Sequence, residues 1–304
     1  MTEKLQFLES FLGKSHKANR DYYQFSCPFC NHYKPKLGIS LGTGIWKCWV
    51  CPNRGSSIST LLFRLKEPKQ KISIAKELWK EKVYFEKQIE NKIELPKEFI
   101  PLWEGSGSFF HKKAIGFLES RNVTDEDIFK HRLGYCSKGK YSDMIIFPSY
   151  SEDNQLVFWS GRTFNEQSYK KFVIPENIDK NLILDENLIN WSEPLIIVES
   201  KLDAITVKRN AIYLSGKKIT EALKIKIVEE RTPEIIFCLD GDALNDAILQ
   251  SEYFIQNGIK VKKVRLPINE DPSSLGYEKI WKFINDAQII TEAELFYFTM
   301  MNKL

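Results

Sequence analysis

The sequence predicts an α/β protein: a β-rich, cysteine-bearing module, then an α+β section, then a parallel-sheet α/β domain with a short helical tail. Three observations predict it. Two Cys-x2-Cys pairs lie between residues 27 and 51. Beyond Glu193, apolar runs of strand length alternate with helix-forming stretches, the pattern of βαβ crossovers. Two of those runs end in acid: Leu195-Ile196-Ile197-Val198-Glu199 and Ile235-Ile236-Phe237-Cys238-Leu239-Asp240-Gly241-Asp242.

The first module covers residues 1–75. Gly turns and alternating segments such as Lys36-Leu37-Gly38-Ile39-Ser40-Leu41 predict short strands, followed by a helix from about Ser57 to Lys66. From about residue 70 the chain is Lys/Glu-rich with apolar residues at helical spacing, ending at Leu95-Pro96; residues 76–98 read as a helix and linker. The remaining domain, 99–304, opens with helices over Phe109–Ser120 and Asp125–Lys130, the second capped by Thr124. Strands near Met144–Phe147 and Leu156–Trp159 flank the polar turn Ser151-Glu152-Asp153-Asn154. The α/β core, about 193–270, has strands at 195–199, 211–214, 234–240 and 261–266, with helices at 201–209, 219–230 and 243–257. A loop, residues 269–274, leads to helical segments that run to the end.

At 304 residues, with 43% hydrophobic and 28% charged residues, the chain has ordinary globular composition and room for more than one domain. The net charge of +4 hides an asymmetry: residues 1–75 carry twelve Lys/Arg against four Asp/Glu. A basic face suits a polyanion such as nucleic acid. No apolar run reaches the roughly 20 residues that span a membrane, and the first ten residues lack signal-peptide features. The expectation is a reducing cytoplasm, where six cysteines favour metal ligation over disulfides.

Cys27-Pro28-Phe29-Cys30 and Cys48-Trp49-Val50-Cys51 form C-x2-C-x17-C-x2-C. Two tight turns can meet around one tetrahedral Zn2+, and four thiolates leave no open position, so the zinc would be structural. His32 lies near enough to replace a ligand. Phe25, Phe29, Tyr33, Trp46 and Trp49 are interleaved with Lys34, Lys36, Lys47 and Arg54. Such a set suits stacking on unpaired bases and contact with phosphates, with Trp46 and Lys47 as candidates. The same aromatics can instead form the mini-core of a ribbon.

Parallel strands deliver their last residues to the carboxyl edge of the sheet, where ligands bind. Glu199, Asp240 and Asp242 would repel one another there without a cation, and hard oxygen donors fit Mg2+ or Mn2+. Asp203, in the first turn after Glu199, and Asp271, in the loop after the last strand, fit the same edge. Gly241 permits a bend between the two aspartates. Asp242 alone could also serve as a helix cap.

Val198-Glu199-Ser200-Lys201-Leu202-Asp203 followed by Leu239-Asp240-Gly241-Asp242-Ala243 resembles the Toprim signature. With the cysteine module, the chain resembles DnaG-type primases of bacteria and bacteriophages, over most of its length. Cys27 to Gly55 is similar to their zinc ribbon. Leu118-Glu119-Ser120-Arg121 and Leu133-Gly134-Tyr135 resemble the opening of their polymerase domain. Ile145-Ile146-Phe147-Pro148, Ser160-Gly161-Arg162 and Tyr169-Lys170-Lys171-Phe172 resemble their basic segment, and Leu266-Pro267 with Glu270-Asp271-Pro272 their late acidic loop. The resemblance implies a DNA-directed RNA polymerase that makes short RNA primers de novo on single-stranded DNA from ribonucleoside triphosphates. It implies Glu199, Asp240 and Asp242 as ligands of Mg2+ or Mn2+, with Asp203 and Asp271 supporting. Arg121, Arg162 and Lys170 or Lys171 would hold template phosphates or the incoming triphosphate, and a hexameric replicative helicase would be a partner.

The chain departs from the pattern at four places. Cys30 stands where the family usually has His, Ser200 where it has Gly, Ser273 where it has a second late Asp, and Val173-Ile174 where an Asn is expected. The compact length suits a bacteriophage or mobile-element version, acting in the cytoplasm of a bacterial or infected cell. Two other readings remain open: a Toprim metal-dependent nuclease, and a RecR-like mediator that only binds DNA. Mediators of that kind are shorter, with closer cysteine pairs, and lack the basic block around Arg162.

Overall fold

In a computed structural model, residues 3–18, 21–51, 53–55, 57–79, 93–176, 178, 181–214, 216, 218–240, 244–267, 270–291, 293–295 and 297 are described, the side chains of 244–247 excepted. Two compact units result: Met1–Gln88 with Gln256–Gly258, and Ile89–Ile255 with Ile259–Leu304.

In the first unit, helix α1 (Glu3–Leu12) precedes a five-stranded antiparallel sheet in sequential order. Its strands are β1 (His16–Lys17), β2 (Tyr22–Phe25), β3 (Leu37–Ser40), β4 (Trp46–Cys48) and β5 (Arg54–Gly55). Side chains alternate across a strand, so Trp46 and Cys48 turn inward while Lys47 between them is exposed. Helix α2 (Ile58–Arg64) starts where Ser57 Oγ accepts the Thr60 N–H at 3.3 Å. Gly55 lies under the Trp46 ring; a Cβ there would come within 2.5 Å of the indole. Leu8, Phe25, Leu37, Ile39, Trp46, Ile58, Leu61 and Leu62 form the core. Helix α3 (Lys69–Trp79), which begins the expected linker, adds Ile72, Ala75 and Trp79 to that core.

The second unit has two sheets. The first is an antiparallel meander in the order β10-β9-β8-β7-β6. It comprises β6 (Phe99–Pro101), β7 (Gly134–Cys136), β8 (Met144–Tyr150), β9 (Leu156–Thr163) and β10 (Phe172–Val173). Helices α4 (Phe109–Glu119) and α5 (Asp125–Lys130) lie between β6 and β7 in the chain; a Thr124–Asp127 capping box opens α5. The second sheet contains β11 (Leu195–Val198), β12 (Ala211–Tyr213), β13 (Glu234–Phe237) and β14 (Lys260–Lys263), all parallel. They alternate with α6 (Lys201–Val207), α7 (Glu221–Glu229) and α8 (Leu244–Gln256). Every residue of β11 is buried, which is why the strand reads as an unbroken apolar run.

The tail differs from expectation. After α9 (Pro272–Leu275) and α10 (Tyr277–Asn285), the chain adds β15 (Gln288–Ile289) antiparallel to β14, so the sheet is mixed at one edge. Both residues of β15 are exposed, so no apolar alternation marks the strand. No helix among the described residues is long and apolar enough to cross a membrane.

Candidate functional site

The mostly parallel sheet runs β12-β11-β13-β14-β15, with β15 antiparallel at the edge. From β11 the chain passes through α6 to β12 on one side, whereas β13 lies on the other. The crevice beyond the carboxyl ends of β11 and β13 is therefore a topological switch point, where open α/β sheets bind ligands. Glu199 and Asp240 sit on its two sides. Glu199 Oε1 accepts the Asp240 N–H at 3.1 Å, so the two acids are held side by side. Asp242 and Gly241 lie outside the described residues.

Asp203 lies in the first turn of α6 and is 4% exposed. Its Oδ2 accepts from the Ser200 hydroxyl at 2.6 Å and the Ser200 N–H at 3.1 Å, and its Oδ1 accepts the Ser273 N–H at 3.1 Å. Burial, above all, raises the Asp203 carboxyl to about 7; the Ser200 hydrogen bond resists and the charge of Asp271 adds to the rise. Ser200 has φ −119° and caps α6, so this turn does not require glycine. Asp271 caps α9 and accepts from the Ser273 hydroxyl and the Ser274 N–H, both at 2.7 Å. Ser273 also accepts from Arg121 Nη1 at 3.3 Å. The late acidic loop is thus tied both to α6 and to the end of α4.

Hard oxygens at the switch point suit a hard divalent cation. Among the described residues, however, no three carboxylates come as close together as the cysteines do. Glu199 and Asp240 form the nucleus of the acidic site, while Asp203 and Asp271 are engaged in capping.

A cleft of about 560 Å³ lies in the same unit, lined by Lys112, Lys113, Arg121, Arg162, Lys171 and Glu166 among others. Arg121, Arg162 and Lys171 are thus brought together, whereas Lys170 is exposed and outside the lining. Lys112 and Lys113, on α4, did not emerge from the sequence. Two adjacent lysines on an otherwise largely apolar helix were the available signal.

In the first unit the Sγ atoms of Cys27, Cys30, Cys48 and Cys51 lie within 4.8 Å of one another. Cys27–Cys51 and Cys30–Cys48 are separated by 3.8 and 3.9 Å. Four sulfurs about 2.3 Å from a tetrahedral zinc stand about 3.8 Å apart, so the cluster fits a structural zinc. The Val50 and Cys51 N–H groups each point to Cys48 Sγ at 3.4 Å, as they would to a thiolate. Burial pushes the Cys27 thiol up to about 12. Burial also acts on Cys51 but is outweighed by hydrogen bonds, chiefly with Asn53, which bring it down to about 7. A cation reconciles thiols as unequal as Cys27 and Cys51 in one charge state. His32 is no ligand here: it is exposed, with Nδ1 3.2 Å from the Lys34 N–H.

Trp46 is corrected. It is 1% exposed, stacks on Phe29 with centroids 5.9 Å apart, and donates to the Ser57 carbonyl at 2.9 Å. It belongs to the core and offers no face to a base. Trp49 is 58% exposed, with Lys47 4.8 Å from its ring centre.

The fold and sites combine a four-cysteine module with a unit that carries an antiparallel meander and a mostly parallel α/β sheet. By sequence and by fold the chain is similar to DnaG-type DNA primases. The Campylobacter jejuni DNA primase is 25% identical over 312 residues, spanning 82% of this chain and 49% of that protein. The Legionella pneumophila DNA primase is 21% identical over 359 residues, spanning 99% of this chain and 62% of that protein. The chain thus spans about half to three-fifths of the length of these curated relatives. The E. coli primase catalytic core superposes with a TM-score of 0.53 at 17% identity, covering 66% of this chain and 81% of that one. A DnaG primase catalytic domain bound to single-stranded DNA gives 0.55 at 18% identity, covering 66% and 82%. These structural likenesses define the fold. No family model matches the chain.

Proposed function

We propose that the protein is a DNA primase, a nucleotidyltransferase that makes short RNA primers de novo on single-stranded DNA. The observation that carries this reading is the pairing, within one unit, of acids at the sheet's switch point with a cation-lined cleft. A DNA-binding mediator needs only cations; a nuclease, like a polymerase, needs both acids and cations, and the similarity to curated DNA primases weighs against it. A polymerase must hold a template and a triphosphate beside the acids.

Glu199 and Asp240, with Asp242, are proposed as ligands of Mg2+ or Mn2+. Such a metal, when bound, lowers the pKa of the primer's 3′-hydroxyl and neutralises phosphate charge. Arg162, Lys171 and Arg121 would hold phosphates of the template or incoming ribonucleoside triphosphate, and Lys112 and Lys113 extend that wall. Asp203 and Asp271 would brace α6 against the late acidic loop. Lys47 and Trp49 are suited to unpaired template bases. A replicative helicase remains a proposed partner on resemblance alone.

The test is an incubation with single-stranded DNA, labelled ribonucleotides and Mg2+ or Mn2+. Short oligoribonucleotides should appear and should vanish in Asp240→Ala. Cleaved DNA without primers would favour the nuclease. Tight DNA binding with neither product would favour the mediator.

A further inference from the structure

A buried ionic cluster adjoins the acidic edge, and the chemistry above makes no use of it. Lys201 opens α6, two residues after Glu199. Its ammonium is paired with Asp185, and the two side chains are 3% and 5% exposed. The same Nζ donates to the carbonyl of Pro148, on β8, at 3.2 Å and lies 5.6 Å from the centre of the Tyr213 ring. The Tyr213 hydroxyl in turn bonds to that of Ser149, also on β8. His131, at the end of α5, is held well below its usual pKa by burial and then by Lys201, and so adds no second charge.

This is an expensive way to fill a core. Two buried ions lose their hydration, and a lysine in the first turn faces the positive end of its helix. An apolar residue of similar size would pack as well. What the lysine adds is direction. It is anchored at two acceptors on different segments, and one is a main-chain carbonyl on the central strand of the five-stranded meander. Ser200 and Glu199 immediately precede it, so the anchor ties the first turn of α6, and with it the chain that carries Glu199, to β8. We propose that Lys201, held by Asp185 and the Pro148 carbonyl, is a positioning residue for Glu199. The inference rests on the reading of Glu199 as a metal ligand.

The test compares the full wild-type chain with Lys201→Met and with the double variant Lys201→Met/Asp185→Leu. The readouts are Tm, zinc content, and Mn2+ binding followed by electron paramagnetic resonance. The single variant strands Asp185 in the core and should melt lower. The double variant removes both charges, a change that is often neutral or stabilising, and should recover wild-type Tm. It should still bind Mn2+ about tenfold more weakly, the scale of losing an outer-shell support. Wild-type Mn2+ affinity at recovered Tm would overturn the proposal, because the pair would then be core filling only. Should the double variant fail to fold, Lys201→Arg keeps the charge but not the single-point reach to Pro148. Weaker Mn2+ binding at unchanged Tm then supports the proposal, and unchanged binding overturns it. A wild-type protein that binds Mn2+ dependent on Asp240 yet makes no primers defeats the primase reading and leaves this test intact. A wild type that binds no Mn2+ overturns both.

Discussion

Asp203→Asn should change the pH dependence of stability in a defined direction. In the unfolded chain the carboxyl loses its proton near pH 4, whereas in the fold burial keeps it protonated to about pH 7. Between those values the folded state binds the extra proton. The stability Asp203 contributes is therefore complete below the unfolded pKa and is lost as pH rises through the folded one. A rise from 3.8 to about 7, at roughly 1.4 kcal/mol per unit, amounts to roughly 4 kcal/mol. Asparagine is neutral throughout and escapes that loss. Its amide nitrogen must, however, face a donor, from either Ser200 or Ser273, at a cost of about 1–3 kcal/mol at every pH. The variant should thus be the less stable protein at pH 4, and the two curves should converge or cross by pH 8. Urea unfolding from pH 4 to 8, with zinc content held constant and no added Mg2+, measures this directly. Curves that run parallel would refute the argument, because the pH dependence would then come from other groups. Added Mg2+ should recover more stability at pH 8 in the wild type than in the variant, since a nearby cation favours the ionised carboxylate.

The remaining predictions concern the zinc module and the cleft. One zinc per chain is expected, and its removal by a chelator, or by Cys48→Ser, should lower the calorimetric transition of the first unit and spare that of the second. Trp46→Ala should cost about 3–5 kcal/mol of first-unit stability in denaturant titrations, the usual range for a buried Trp. Trp49→Ala should leave stability near wild type and weaken binding of single-stranded DNA in a fluorescence titration. Replacing both Arg162 and Lys171 with Ala should weaken that binding irrespective of sequence. The slope of log affinity against log salt should also fall by about 1.4, from two phosphate contacts at about 0.7 each on a single strand; an unchanged slope would remove these residues from the phosphate path.

Some of this was legible in the sequence for simple physical reasons. Buried parallel strands must be apolar on both faces, so 195–198 and 234–237 announce themselves, and the acids that follow them land on one edge. Paired cysteines leave little freedom once two turns share a metal. The fate of Trp46 was also within reach. It lies two residues from Cys48 and therefore on the same face of its strand, with Lys47 on the other. Other features depend on tertiary structure. Arg121 meets Ser273 across 152 residues, and nothing near either one signals the contact. Lys112 and Lys113 become part of a cleft only because α4 faces the end of β9 and the segment after it. Asp185 adopts a left-handed conformation, φ 56°, in a short connecting segment whose sequence gives no hint of a buried partner.

Two serines, Ser200 and Ser273, sort the acids into two roles. Ser200 and Ser273 together supply three donors to Asp203, covering both of its oxygens. A carboxylate so occupied is a poor candidate to enter a metal's inner shell, because binding there would break a helix cap or the link to α9. An aspartate at 273 would have set another negative charge beside Asp203 and Asp271, in a place where burial already raises the Asp203 carboxyl. The serine instead donates its hydroxyl to Asp271 and accepts from Arg121, which links α4's end to the late loop. Glu199 and Asp240 have a different setting: they follow neighbouring parallel strands and meet at the switch point itself. Metal binding is therefore expected to respond steeply to changes at Glu199 and Asp240. Changes at Asp203 and Asp271 should act first through the packing of α6 against α9.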